Sequence, residues 1–399
     1  MKKVSNMKVA VVYTSPYPKK TGASGADRRI RDYVRGLKSA GADVTMFIPQ
    51  YQRASSYEDA PEDFQIRYIG NKLGAKVKVL NRFLFWTSLI KLCEKEGYTH
   101  LFLYNTTYES AYFAKRARKR GLKVIVEICD LHSGVTGNWS LKEHLAIKND
   151  ENLPKEADLV VTISDFLKDR IEGFAPHVPI VKYPIFVDSD LFDSEEILKN
   201  KLPSKEGLGL SEDDFLIAYV GGLWHHEGVK YLVESFNKIQ LEFPNAKLLI
   251  AGKYTKSPLH DDVEGMVEEL GIKDKVILPG WVDTNTVKKI FSAADLLVVS
   301  QTDHDFSKAG LPTKLAEYSA SGKAILVTKV GDVPYYFEDG VNSVMCEPSD
   351  SNSMKNAIQR VITDVSLKEQ IAKNSRKLAE TKFDYRVNGE RLKKELKTL

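Results

Sequence analysis

Three features of the sequence predict an α/β protein made of two successive doubly wound parallel-sheet domains. Short β-branched apolar runs alternate with longer segments of helical period. The alternation pauses once, near the middle of the chain. And 399 residues exceed what one core holds, because single cores stop growing near ~250–300 residues.

In the first half, KVAVVYT (8–14), DVTMFIP (43–49), HLFLYN (100–105), KVIVEI (123–128), DLVVTIS (158–164) and PIVKYP (179–184) read as strands, and segments such as 26–40 and 107–120 read as helices. Strands and helices in alternation build right-handed crossovers and a parallel sheet. Residues 185–213, rich in charge, Gly, Pro and Ser, carry no strand pattern and are expected to form a linker. The pattern resumes with FLIAYVG (215–221), AKLLIAG (246–252), KVILPG (275–280), DLLVVS (295–300), KAILVT (323–328) and NSVMCEP (342–348), and a charged helical tail runs from about 365. The expected domains are 1–190 and 191–380, with a C-terminal helix at about 380–399 packing back on the first.

Composition narrows the class. Hydrophobic residues make up 43% and charged residues 28%, enough to build cores; 58 Lys+Arg against 54 Asp+Glu, net +4, does not fit a dedicated nucleic-acid binder. Cys93, Cys129 and Cys346 are odd in number and far apart, which argues against a disulfide framework or a structural zinc and fits a reducing, cytoplasmic setting. The start, MKKVSNMKVAVVYTSP, reads as a first strand and not a signal peptide, and no run approaches the ~18 apolar residues of a spanning helix.

Ligands of open parallel sheets bind beyond the carboxyl ends of the strands, so those loops hold the candidates. After the first strand, Gly22 and Gly25 precede a helix and offer close backbone approach; an ordinary turn is the alternative. After FLIAYVG, Gly221, Gly222, His225 and Gly228 bracket another turn onto a helix. The adjacent histidines form no metal cluster with carboxylates, so no metal is expected. After DLLVVS comes the segment Gly310-Leu311-Pro312-Thr313-Lys314-Leu315-Ala316-Glu317-Tyr318, with a short helix expected over 312–321. Lys314 in its first turn opposes the helix dipole, which makes sense if an anion sits there; an i,i+3 pair with Glu317 is the alternative. Gly331 marks the next strand end. In the first half, Asp130 and His132 follow KVIVEI, where either could be a general base or hydroxyl acceptor, while Asp130 as a helix cap is equally open. Residues 76–91 and the basic run 115–123 could meet an anionic membrane, or could be a core helix and a cation-rich helix end.

These segments together resemble the retaining glycosyltransferases of family 4, which have the GT-B fold: two Rossmann-like domains facing each other across a cleft. "VDSDLF", with Asp188 and Phe192, is similar to that family's interdomain segment, "YVGGLWHHEGVKYLVESF" to its phosphate loop, and "AGLPTKLAEYSASGKAILVTKVGDVPYYFEDGVNSVMCEPSD" to its donor site. The resemblance implies metal-independent transfer of a sugar, by a hexosyltransferase-type reaction, from a nucleotide sugar to a glycan, glycolipid or glycoprotein. A UDP- or GDP-sugar is the expected donor, bound by the second domain, and the acceptor is expected on the first; no separate cofactor is implied. Glu317 would hold the ribose hydroxyls, Gly331 would contact the sugar or diphosphate, and Gly22 to Gly25 would approach the diphosphate. The chain departs from the pattern at three places: Gly222 stands where Arg is usual, Glu227 where Lys is usual, and Ala309 where the first of two glutamates is usual. It resembles instead a subset with Pro-x-Lys-x-x-Glu-Tyr, matched by Pro312, Lys314, Glu317 and Tyr318. Lys314, helped by Lys308 or His225, is then the expected diphosphate cation. A noncatalytic nucleotide-sugar binder, a partner subunit and a GT-B 2-epimerase are the competing expectations.

Overall fold

The computed structural model describes residues 7–17, 25–53, 63–70, 78–104, 107–131, 141–192, 194–254 and 257–399. The chain divides into two compact units, Met1–Phe186 with Tyr385–Leu399, and Val187–Asp384.

The first unit is a seven-stranded sheet in the order β3-β2-β1-β4-β5-β6-β7, every pair parallel. Its strands are β1 (Lys8–Tyr13), β2 (Asp43–Pro49), β3 (Gln65–Ile69), β4 (His100–Tyr104), β5 (Lys123–Ile128), β6 (Leu159–Thr162) and β7 (Ile180–Lys182). Central strands such as VAVV in β1 and the whole of β4 are fully buried, as parallel strands covered on both faces must be. Strand β3, QIRYI, was missed by periodicity: it is an edge strand, half-exposed along its length, with Gln65 and Arg67 among its residues.

Five helices accompany these strands: α1 (Gly25–Ser39), α2 (Lys78–Glu96), α3 (Ser110–Arg118), α4 (Leu141–Asn152) and α5 (Asp165–Phe174). Helix α2 buries Phe85, Trp86, Leu89, Ile90 and Cys93 and is therefore mainly a core helix; only its first turns leave Val79, Leu80 and Phe83 exposed. Glu127 on β5 and Arg29 on α1 form a buried ion pair at 2.7 Å, with Tyr33 donating to the same carboxylate oxygen at 2.7 Å.

In the second unit the expected linker is replaced by structure. Residues 194–207 form helices α6 (Ser194–Lys199) and α7 (Lys201–Gly207). The charge that suggested a linker is used inside: Lys201 and Lys205 of α7 lie 2.7 and 3.5 Å from the buried carboxylate of Asp295. A six-stranded parallel sheet follows, β8 (Phe215–Val220), β9 (Ala246–Ala251), β10 (Val276–Gly280), β11 (Leu296–Val299), β12 (Ala324–Thr328) and β13 (Val344–Cys346), in the order β10-β9-β8-β11-β12-β13. Around it stand α8 (Val229–Glu242), α9 (Val263–Glu269), α10 (Thr284–Ala293), α11 (Asp305–Ala309), α12 (Thr313–Ala320), α13 (Val333–Tyr336), α14 (Ser351–Thr363) and α15 (Val365–Leu378). The strand order reverses between β8 and β11, which puts the expected ligand crevice outside the carboxyl ends of those two strands.

The chain then returns to the first unit with α16 (Tyr385–Lys397), which packs on α1. The approach is closest at two glycines. A Cβ on Gly36 would lie 2.5 Å from the Tyr385 carbonyl oxygen, and one on Gly389 would collide with the backbone of Gly36.

Candidate functional site

At the switch point of the second unit, the loop after β8 meets the loop after β11 and the start of α12. The β8 loop is Gly221 to Gly228, closed by a 3-10 turn at His225–Glu227. Gly228 caps that turn with φ of +66°, and any Cβ there would strike the Ser300 carbonyl, so glycine is demanded twice over. The β11 loop is stitched to it: the Thr302 N–H donates to the His226 carbonyl at 2.9 Å, and the Ser300 hydroxyl donates to the Glu227 carbonyl at 2.8 Å.

Helix α12 begins one residue later than expected, with Pro312 as its N-cap and not its first helical residue. Lys314 and Tyr318, four residues apart, lie on one face of it. The Tyr318 hydroxyl accepts from the Val220 N–H at 2.9 Å and donates to the Val220 carbonyl at 3.3 Å, which fastens the helix to the end of β8. Lys314 then reaches into the β8 loop. Its Nζ is 2.6 Å from Glu227 Oε2 and 2.8 Å from the Tyr219 hydroxyl oxygen, and 4.3 Å from the centre of the Tyr219 ring. A Cβ on Gly221 would lie 2.7 Å from that Nζ, so the ammonium occupies space that only glycine leaves open. The carboxylate seen paired with Lys314 is thus Glu227, 2.6 Å away across the two loops.

The other expected residues fall around this centre. The space above Gly222 is taken by an indole: a Cβ there would lie 3.0 Å from Trp224 Cδ1. Gly310 and buried Leu311 connect α11 to α12, and a Cβ on Gly310 would make only ordinary contact with the Phe306 carbonyl at 3.6 Å. Gly331, at φ of +52°, packs its bare Cα against α11, 2.9 Å from Lys308 Cα when a Cβ is placed on it. Glu317 is half-buried beside Tyr318. The two expected helpers of Lys314 are otherwise engaged. Lys308 pairs with Asp303 at 2.8 Å, and both His225 nitrogens sit 2.7 Å from acceptors, Asp261 Oδ1 and the Pro258 carbonyl. Two acceptors call for two N–H donors, hence an imidazolium; the Asp261 and Pro258 contacts raise its pKa above 6.5. Next to it, burial lowers the pKa of His226. Burial, and then Glu227, keep Tyr219 a neutral phenol far above its ordinary range.

In the first unit Gly25 opens α1, and Asp130 is exposed just beyond β5. Gly22 and His132 lie outside the described residues. Among the described residues no group of three or more His, Cys, Asp or Glu is placed to hold a metal ion. Sequence reading gave no part to Tyr219 or Asp261; a lone tyrosine inside an apolar strand carries no signal until its loop is folded.

The chain matches the family of glycosyl transferase 4-like domains over residues 24–183 and the family of glycosyl transferases group 1 over residues 200–378. An uncharacterized glycosyltransferase of Methanocaldococcus jannaschii is 28% identical over 233 residues, 58% of this chain and 57% of its own length. The lipopolysaccharide 1,2-N-acetylglucosaminetransferase of Salmonella typhimurium is 24% identical over 269 residues, 65% of this chain and 67% of its own. The aligned segment therefore spans little more than half of the first of these relatives. Among solved structures, sucrose-phosphate synthase from Thermosynechococcus elongatus has a TM-score of 0.76 at 17% identity, covering 98% of both chains. Anabaena HepE in complex with UDP and glucose has a TM-score of 0.72 at 16% identity, covering 98% of this chain and 100% of its own.

Proposed function

We propose that this chain, which has the GT-B fold and matches glycosyl transferase 4-like domains over 24–183 and glycosyl transferases group 1 over 200–378, is a metal-independent retaining hexosyltransferase that moves a sugar from a UDP- or GDP-sugar to a glycan or lipid-linked acceptor. The observation that carries this reading is the Lys314 ammonium beside the bare Cα of Gly221. Cleaving a sugar–diphosphate bond leaves a group that gains negative charge, and a fixed cation at that point stabilises the transition state more than the ground state. Two usual cations of this loop are replaced here by Gly222 and Glu227. In this reading Lys314 does their work from α12. Glu317 accepts from the ribose diol, and Asp130 and His132 serve the acceptor from the first unit.

The relatives support the substrate class: the Salmonella protein is a lipopolysaccharide 1,2-N-acetylglucosaminetransferase, and HepE was solved with UDP and glucose. Among the described residues no helix is long and apolar enough to cross a membrane. A lipid-linked acceptor would be met at the surface where exposed Phe83 stacks on exposed Tyr112 and Arg116 lies over the Tyr112 ring, with Val79 and Leu80 exposed earlier on α2, by a protein that works in the cytoplasm. Liposome co-sedimentation that ignores anionic lipid content would count against that surface.

One observation favours a second reading, a noncatalytic nucleotide-sugar binder or partner subunit: the Lys314 charge is already neutralised by Glu227. Hydrolysis and transfer measured against a panel of UDP-, GDP- and ADP-sugars separates the two. Turnover of one donor supports the transferase, and nucleotide binding without turnover supports the binder.

A further inference from the structure

We propose that Glu227 competes with the donor's diphosphate for Lys314, and so sets how readily the nucleoside diphosphate product leaves. This rests on the reading that the diphosphate binds at Lys314. Glu227 is not needed merely to hold the lysine in place. The ammonium has a second anchor in the Tyr219 hydroxyl at 2.8 Å and a third in the face of the Tyr219 ring at 4.3 Å. That hydroxyl is held chiefly by the Gly222 carbonyl, to which it donates at 2.5 Å, while Glu227 Oε2 stands farther off at 3.2 Å. What the carboxylate adds is therefore chiefly charge.

The charge is held in place. Glu227 sits on backbone tied at both ends, its N–H donating to the Trp224 carbonyl at 2.8 Å and its carbonyl accepting from the Ser300 hydroxyl. The side chains of Lys314 and Glu227 are only 12% and 15% exposed, so water screens the carboxylate poorly. An incoming diphosphate must approach the same ammonium and is repelled by the same carboxylate. The repulsion is greatest for the product, which carries the charge released when the sugar–phosphate bond breaks and the bonding pair stays on the phosphate oxygen. A phosphate loop with bare Arg or Lys would bind that product more tightly.

The test is calorimetric titration of inorganic pyrophosphate into the full chain and into Glu227→Gln, Glu227→Asp and Lys314→Ala. The expected result is about tenfold tighter binding in Glu227→Gln, near wild-type binding in Glu227→Asp, and at least about tenfold weaker binding in Lys314→Ala. Unchanged or weaker binding in Glu227→Gln, with Lys314→Ala still weakened, would overturn the competition while leaving the diphosphate site intact. Equal tightening in Glu227→Asp would overturn it too, because the effect would be one of shape and not charge. If none of the four proteins bound pyrophosphate, the diphosphate reading would fall, and this inference with it.

Discussion

Lys314 and Glu227, 87 residues apart in sequence, meet with Nζ 2.6 Å from Oε2 inside a turn whose first glycine leaves the space that the ammonium fills. Helix α12 thus delivers an ammonium to the turn that follows β8. Five expectations follow from this arrangement and from the packing that supports it.

Gly221→Ala puts a methyl group where the ammonium lies, 2.7 Å from Nζ. The obstacle is the far end of a flexible chain, so the fold should persist while the cation moves. A misplacement of about 1 Å is expected to lower donor turnover about 10²-fold, with little change in unfolding midpoint. Steady-state kinetics beside a thermal melt checks both halves.

The two adjacent histidines should titrate on opposite sides of 6.5. The Asp261 and Pro258 contacts raise the pKa of His225, so its contribution to stability is complete below 6.5 and is lost as pH rises through the raised value. Burial lowers that of His226, so its neutral form stabilises above 6.5, and that contribution is lost as pH falls through the lowered value. Imidazole NMR titration reads the two midpoints, and a shared midpoint would contradict the geometry.

Gly389→Ala forces α16 away from α1, because the new methyl collides with Gly36 backbone that cannot swing aside. Overpacking of this kind costs about 1–3 kcal/mol. Denaturant unfolding followed by a probe in the first unit should show that loss.

Arg29→Met leaves Glu127 buried without its cation, and its Oε2 already lacks a hydrogen-bond partner. Burial is the largest influence on Glu127 and raises its pKa, with Arg29 pulling it back. The single replacement should cost about 3–5 kcal/mol, and adding Glu127→Leu should recover part of it. Equilibrium unfolding of both variants decides this.

The sheets were legible because parallel strands buried on both faces leave unbroken apolar runs, as in LFLY of β4 and LLVV of β11. Edge strand β3 was not, since only Ile66 and Tyr68 of QIRYI pack on the core, too short an alternation to stand out. Helix α7 looked like linker because Lys201 and Lys205 serve Asp295, a partner that only folding supplies. Within the site, the helix dipole made Lys314 conspicuous at the start of α12. Its partner was not legible: Glu227 read as a missing cation, and its role depends on a contact across two loops. Tyr318 was visible as part of a pattern, but its two hydrogen bonds with the Val220 backbone arise only once α12 packs against β8.

The most direct test of the account is turnover of the preferred nucleotide sugar by Lys314→Ala. If Lys314 carries the charge of the departing diphosphate, turnover should fall at least ~10²-fold, as when a fixed electrostatic donor is removed from other active sites. A rate equal to that of the unaltered protein would contradict the account.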